Sequence, residues 1–145
     1  MMEDNEGNWT NIIGVLRFEK LEYEGVRQLI FERLKNVGRC RSKMIKLFGI
    51  WYFKRMDDEE FESKKDVVVR KLEGIHTDLQ LSEWMCKEQV KRDPMDNVPY
   101  RFWIVPDFKE DESIMILKVH HSFSDGIGIF TMMSMLQENP SVDDL

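Results

Sequence analysis

The chain has 145 residues, and its 27 Asp and Glu outnumber its 21 Lys and Arg, which gives a net charge of −6 at neutral pH. This length suits one globular domain or a piece of a larger one, and a hydrophobic fraction of 42% is enough to form a core. The acidic balance argues against a nucleic-acid-binding module, because phosphate binding depends on clustered Lys and Arg.

Three further features limit the class of protein. The apolar runs are far shorter than the roughly 18 residues of a spanning helix, so we expect no transmembrane segment. The two cysteines, Cys40 and Cys86, have no second Cys or His at metal-ligand spacing, which predicts neither a zinc site nor a redox pair. The start of the chain is acidic and polar and does not resemble a secretory signal, so we expect an intracellular protein.

Strands and helices alternate in the first half of the sequence. The β-branched and aromatic residues of Ile12–Phe18 predict a strand, and Ile50–Arg55 is similar. Between them, apolar residues recur at three- and four-residue steps in Tyr23–Val37, which predicts a helix with Gly38 as its C-terminal cap. We expect Asp57–Asp66 to form a charged loop or a short helix. The apolar stripe of the long helix, which we expect to lie in the core, consists of Val26, Leu29, Ile30, Leu34 and Val37.

A second helix is predicted further along the chain. Ser82 is its expected N-cap, Trp84 and Met85 lie on its apolar side, and it runs to about Lys91, before Pro94.

A β-hairpin follows this helix. Its strands are Tyr100–Val105 and Ser113–His120, and a polar connection joins them. The second strand is apolar on both faces except at Lys118, which predicts that it lies inside a sheet. Without an internal repeat or linker, the whole pattern indicates one mixed α/β unit.

The end of this strand carries the most informative motif. The segment His120–Gly126 has the sequence His-His-Ser-Phe-Ser-Asp-Gly. Adjacent strand residues point to opposite faces, so one His of the pair can face a cleft while the other packs behind it. An imidazole can take a proton from an attacking hydroxyl or thiol near neutral pH and return it to the leaving group. Asp125 can hold the loop through hydrogen bonds, and Gly126 permits a turn that a Cβ would obstruct.

Other interpretations of the two histidines are weaker. A metal site needs further ligands, and the third His, His76, has no ligand-spaced neighbour, so we expect no metal. A Ser-His-Asp triad is disfavoured because Ser122 and Ser124 do not lie in a Gly-x-Ser-x-Gly elbow. A purely structural role for the histidine pair stays open.

The motif His-His-x-x-x-Asp-Gly at the end of a buried strand resembles the active-site motif of the wax ester synthase/diacylglycerol acyltransferase family. That family belongs to the chloramphenicol-acetyltransferase-like superfamily, with peptide-synthetase condensation domains and plant acyltransferases. Ile12–Glu19 resembles the family's opening strand, and Pro94-Met95-Asp96 followed by Pro99 resembles its Pro-Leu-Asp box. The resemblance is specific over residues 94 to 126 and diffuse over 39 to 92. Arg101 departs from the Trp that the family usually has there.

This resemblance implies a mixed α/β fold in which residues 1–145 form the N-terminal half and the C-terminal half is absent. It implies an O-acyltransferase in which His121 is the general base for a long-chain alcohol or diacylglycerol attacking an acyl-CoA thioester. His120 would support His121 from behind, Asp125 would hold the loop and the imidazole, and Gly126 would allow the turn. Acyl-CoA is the implied co-substrate, with no other cofactor.

Lipid substrates imply a peripheral contact with the endoplasmic reticulum membrane or lipid bodies, and a cytoplasmic location is the alternative. Since the tunnel of this fold lies between two similar halves, we expect little activity from residues 1–145 alone. Two other functions stay open. One is a condensation-type domain that forms an amide from carrier-bound acyl groups, and the other is a non-catalytic half-domain that binds acyl chains or a partner.

Overall fold

A computed structural model describes residues 11–92 and 98–120 of the chain. The strands are β1 (Asn11–Glu19), β2 (Ser42–Leu47), β3 (Ile50–Arg55), β4 (Val69–Lys71), β5 (Tyr100–Lys109) and β6 (Glu112–His120). The helices are α1 (Tyr23–Lys35), α2 (Asp58–Ser63), α3 (Lys65–Val68) and α4 (Asp78–Gln89), and a 3₁₀ turn spans Gly38–Arg41. The main sheet has the strand order β1-β6-β5-β4, and β2 and β3 form a separate hairpin.

The structure confirms the four predicted strands: three lie in the main sheet as β1, β5 and β6, and Ile50–Arg55 is β3 of the hairpin. The sheet is mixed, because β1, β6 and β5 pair antiparallel while β4 runs parallel to β5. Strand β6 lies between β1 and β5 and is buried along almost its whole length, as its apolar sequence predicts. Strand β5 is longer than expected because it continues through Pro106. The register shifts between Val105 and Lys109, and such a bulge accommodates a proline that has no N–H to donate.

Helix α1 is confirmed, but its end and its buried face differ from the prediction. It ends at Lys35, with Asn36 as the C-cap, and Gly38 instead begins the 3₁₀ turn. Ile30 and Leu34 are buried as expected, whereas Leu29 is 37% exposed. Val26 and Val37 are partly buried and pack against the same core, so only Leu29 departs from the predicted stripe.

Leu29 is turned outward because the next-but-one residue, Phe31, makes an aromatic contact. Phe31 is buried, and its ring stacks on Phe61 of α2 with centroids 4.5 Å apart. The buried arc of α1 is thus centred on Ile30, Phe31 and Leu34, which turns Leu29 toward solvent. The charged segment that contains Phe61 forms the two short helices α2 and α3, in agreement with the short-helix alternative.

The predicted cap of α4 is wrong. Thr77, in extended conformation, accepts a hydrogen bond on its hydroxyl from the Gln80 N–H at 3.1 Å, so the helix begins at Asp78 and Ser82 lies inside it. The apolar side of α4 is as predicted. Trp84 and Met85 pack against the core between α4 and the main sheet, and the ring of Trp84 meets that of Trp103 edge-on, with centroids 4.9 Å apart.

Each face of the main sheet has its own core, and the two-residue alternation of the strands assigns side chains to them. We call these the α1 face and the α4 face after the helix that packs on each. On the α1 face the sheet contributes Tyr100, Phe102, Ile104, Met115, Leu117 and Val119. On the α4 face it contributes Trp103, Val105, Ile114 and Ile116, with Ile13 and Val15 of β1 partly buried beside them.

The position of Leu34 at the centre of the α1 core leads to a stability prediction. Leu34→Ala should lower the free energy of unfolding by about 2–5 kcal/mol, because the cavity it leaves cannot close fully. Leu29→Ala in the same helix is the matched control and should lower it by less than about 1 kcal/mol, since Leu29 is already partly in water. Urea unfolding followed by circular dichroism measures both. Equal losses would contradict the assignment of the buried arc.

Candidate functional site

The candidate site lies at the C-terminal end of β6, where the histidine motif begins. Of the residues predicted to form it, the structure describes His120, the last residue of the strand. His121, Asp125 and Gly126 lie outside the described residues, so their roles stay predictions.

His120 occupies the α4 face and is buried. It pairs across the ladder with Asn11, whose side-chain amide donates to the carbonyl oxygens of Gln89 at 2.8 Å and Lys91 at 3.1 Å, at the end of α4. Directly opposed residues of an antiparallel pair share a face, so His120 lies on the same side as Asn11. The backbone N–H of His120 donates to the Pro99 carbonyl at 2.9 Å, which fixes the strand end against the chain that enters β5.

A buried ion pair lies two residues before His120 on the same face. The Lys118 ammonium, which is almost fully buried, lies 3.3 Å from a carboxylate oxygen of Glu88 and donates to the Lys91 carbonyl at 3.1 Å. Lys118 belongs to a strand with a neighbour on each side, and its side chain does not reach bulk water. Its charge is therefore stabilised by these protein oxygens. The pair joins the centre of the sheet to the last turn of α4.

Arg101 places a second cation next to this lysine. It lies directly across the ladder from Lys118, is buried, and donates through one guanidinium nitrogen to the carbonyls of Val98 and Tyr100. Two like charges on opposed residues repel, and the Glu88 carboxylate and the carbonyl oxygens around them offset this repulsion. Arg101 therefore belongs to a buried polar cluster at this end of the sheet.

The α1 face of the same strands is apolar. A groove of about 170 Å³ lies along β1 and β6. Alternate residues of the two strands make most of its lining, and Val15, which packs on the α4 face, also borders it. Its lining residues are Ile12, Gly14, Val15, Leu16, Met115, Leu117 and Val119. At one end of this groove, Ile12 pairs with Val119, the residue before His120. An apolar channel therefore runs along β6 toward the histidine motif.

Beside the groove end, Tyr100 closes the α1 core. It pairs with Val119, and its hydroxyl donates to the Cys40 carbonyl at 2.5 Å. Burial raises the pKa of Tyr100 well above its ordinary value of 10.0. Tyr100 therefore stays neutral near pH 7 and acts as a structural donor.

The described residues contain no group of three or more His, Cys, Asp or Glu that could hold a metal ion. The third His, His76, lies on the loop before α4 with its Nδ1 3.3 Å from the Phe108 carbonyl. Within residues 11–92 and 98–120, no helix has the length and apolar character needed to span a bilayer.

Condensation domains of known structure share this fold. The first condensation domain of the calcium-dependent antibiotic synthetase matches with a TM-score of 0.72 at 13% identity, over 88% of this chain and 30% of that one. The condensation domain that mediates chain release from the enacyloxin polyketide synthase gives 0.67 at 14% identity, over 88% and 25%. VibH, an NRPS condensation enzyme, gives 0.61 at 12% identity, over 89% and 29%. No protein-family model and no curated protein matches the chain.

These matches confirm the predicted fold class. The chain has a mixed sheet with flanking helices, and the condensation domains that share this architecture have the chloramphenicol-acetyltransferase-like fold. It spans about a quarter to a third of the length of the chains that it matches. At this level of sequence identity, the comparison establishes the architecture and leaves the activity to be proposed.

Sequence reasoning identified Lys118 as an exception in an apolar strand but did not find its partner. A lysine in a central strand requires a buried acceptor, so a partner could be expected in general. However, the last turns of α4 offer several polar residues, and only the packing of α4 on the sheet selects Glu88. Asn11 was missed because it lies just outside the predicted strand, although its amide ties β1 to the end of α4.

The buried pair gives a prediction that separates a broken pair from an absent one. Lys118→Met should lower the free energy of unfolding by about 3 kcal/mol, because the buried Glu88 carboxylate then keeps only its ion pair with the exposed Lys91. The double variant Lys118→Met/Glu88→Leu should recover most of this loss. Lys71→Met, in the exposed pair with Glu73, is the control and should change stability by less than about 1 kcal/mol. Purely additive losses in urea unfolding would show that the two side chains are not coupled.

Proposed function

We propose that this chain is the N-terminal part of an acyltransferase that moves an acyl group from a thioester to a lipid alcohol. Long-chain alcohols and diacylglycerol are the proposed acceptors, acyl-CoA is the proposed donor, and His121 is the proposed general base. The observation that carries the proposal is the apolar groove, which follows β6 to the strand end that the histidine motif continues.

The alternation of β6 is the reason for not assigning the proton transfer to His120. Met115, Leu117 and Val119 line the groove, so the odd-numbered positions of this strand face it. His120 has the other parity and is committed to the α4 face, next to Asn11. We therefore keep His120 as the supporting residue, and Asp125 and Gly126 as the residues that shape the loop.

The proposed reaction needs no redox partner. The imidazole of His121 accepts the hydroxyl proton as the alcohol oxygen attacks the thioester carbonyl and the new C–O bond forms. The tetrahedral intermediate then collapses with cleavage of the C–S bond, and the imidazolium returns its proton to the departing thiolate. The products are an ester and free coenzyme A thiol.

The apolar lining supports a lipid substrate over a polar one. All seven residues around the groove are aliphatic, Met or Gly. An alkyl chain that binds in the groove is removed from water and contacts apolar side chains. This transfer is favourable by roughly 25 cal/mol for each Å² of apolar surface buried. The span from Leu16 to Ile12 is about 13 Å at strand rise, so it can accept an extended stretch of acyl chain.

A condensation-type function is the second candidate, since the solved structures compared above are condensation domains or a condensation enzyme. The same base would then deprotonate an amine that attacks a carrier-bound thioester, and the product would be an amide. The non-catalytic alternative also keeps the groove: a half-domain could bind an acyl chain there without turning it over.

The central test of this proposal is an activity assay on the full product of the gene. One arm supplies acyl-CoA with a long-chain alcohol or diacylglycerol, and a second supplies an acyl carrier protein with an amine. His121→Ala should lower turnover by about 100-fold or more, because general-base catalysis contributes at least that factor. His76→Ala is the matched control and should retain wild-type turnover, since His76 lies before α4.

Each outcome assigns one function. Ester formation that depends on His121 supports the O-acyltransferase, and amide formation in the second arm supports the condensation-type enzyme. Wild-type turnover by His121→Ala contradicts the assigned base. Tight binding of acyl-CoA without turnover of any acceptor would contradict an enzymatic function and support the non-catalytic half-domain that binds acyl chains.

A second prediction tests the groove alone. A Cβ added at Gly14 meets no atom within 4 Å, so Gly14→Val should fold normally, and its side chain should fill space in the groove. We expect the KM for long-chain acyl-CoA to rise about tenfold while the KM for acetyl-CoA stays unchanged, because only the long chain needs the groove. An equal rise for both donors, or no rise for either, would place the acyl chain elsewhere.

A further inference from the structure

The hairpin of β2 and β3 exposes apolar side chains at its tip. Phe48, in the turn, is fully exposed, and Leu47 and Ile50 on either side are 50% and 56% exposed. Such a cluster at the end of a projecting hairpin keeps its apolar surface in water, which is unfavourable unless something covers it.

The turn itself makes Phe48 more unusual. A two-residue turn joins Leu47 to Ile50, and both of its residues have positive φ, 53° at Phe48 and 78° at Gly49. This is the pattern of a type I′ turn, in which Asn-Gly is strongly preferred because Asn tolerates the left-handed region. An aromatic residue is strained there, and here the ring gains no packing in return. The sequence thus keeps a phenyl ring where the backbone alone favours Asn.

Side chains along one face of the hairpin follow an order of decreasing hydrophobicity from the tip. The cross-strand pair next to the turn is Leu47 with Ile50, the next is Ile45 with Tyr52, and the third is Lys43 with Lys54. At strand rise, the third pair lies about 14 Å from the first. Aliphatic, aromatic and cationic levels at these spacings match the order of hydrocarbon, interface and phosphate in a lipid monolayer.

The charge of the hairpin has one sign. Residues 42–55 contain four of the chain's 21 Lys and Arg and none of its 27 Asp and Glu. One of the four, Lys43, forms an ion pair with Glu60 of α2, while Lys54 and Arg55 are exposed at the base of β3. A cationic hairpin on an acidic protein is complementary to an anionic surface.

We propose that the hairpin Ser42–Arg55 docks this protein on an anionic lipid bilayer, with Phe48, Leu47 and Ile50 inserted below the headgroups and the exposed Lys54 and Arg55 at the phosphates. An anionic bilayer explains the strained aromatic tip, the ordered levels and the single sign of charge together. This inference does not rest on the proposed acyl transfer, because it uses none of the groove or histidine residues.

The experiment is co-flotation of the 145-residue chain with vesicles of phosphatidylcholine alone or of phosphatidylcholine mixed with phosphatidylserine. Phe48→Asn creates the preferred Asn-Gly turn, so it should keep or raise the thermal midpoint. We expect it to lower partitioning onto the mixed vesicles about tenfold or more, because the tip loses its largest apolar group. Leu79→Asn, which removes an equally apolar residue that is 69% exposed on α4, is the matched control and should bind as wild type.

Charge is tested separately. Lys54→Gln should lower partitioning about fivefold, and wild type should bind neutral vesicles far less than anionic ones. Binding of Phe48→Asn equal to wild type overturns the proposal, as does wild-type chain that stays with the unbound fraction. Self-association that Phe48→Asn abolishes, in the absence of vesicle binding, would also overturn it and assign the tip to a second copy of the chain.

Discussion

A buried lysine on the interior strand β6 fixes the register of that strand. Lys118 meets Glu88 on the α4 face, and a slip of one residue would move its ammonium into the apolar α1 core. Burying an unpaired charge there is far more unfavourable than leaving any single apolar contact unmade. The ion pair therefore determines which strand residues line the groove and which face α4.

This constraint divides the end of β6 between two environments. On the α4 face, Asn11, Lys118 and His120 belong to a buried polar cluster anchored to the last turn of α4. On the α1 face, Leu117 and Val119 belong to an apolar groove. Adjacent residues of β6 therefore lie in a polar cluster on one face and in an apolar groove on the other. The proposed base, His121, and its supporting residue, His120, are neighbours in the sequence.

The sequence predicts those parts of the fold that depend on local composition. Strand β6 is nearly continuous in apolar residues and is central in the sheet, and the apolar periodicity of α1 identifies that helix. The errors fall where tertiary contacts decide. Leu29 is turned outward because Phe31 stacks on Phe61, and Thr77 rather than Ser82 caps α4 because the chain is extended at Thr77.

The site follows the same division. The motif from His120 to Gly126 can be recognised in the sequence. The roles of Glu88 and Asn11 cannot, because they arise only when α4 packs across the sheet. The exposed tip of the hairpin was also not predicted. Its strand Ile50–Arg55 was, but the positive φ of Phe48 is a property of the turn geometry, which composition alone does not reveal.

Paramagnetic broadening tests most directly whether β6 separates these two environments. The chain has three histidines, so their imidazole resonances can be assigned individually by substitution. With a bound acyl-CoA that carries a spin label on its acyl chain, we expect strong broadening of the His121 resonance, weaker broadening of His120 on the α4 face, and little effect on His76. Broadening that is equal for all three histidines, or absent from His121, would contradict this expectation.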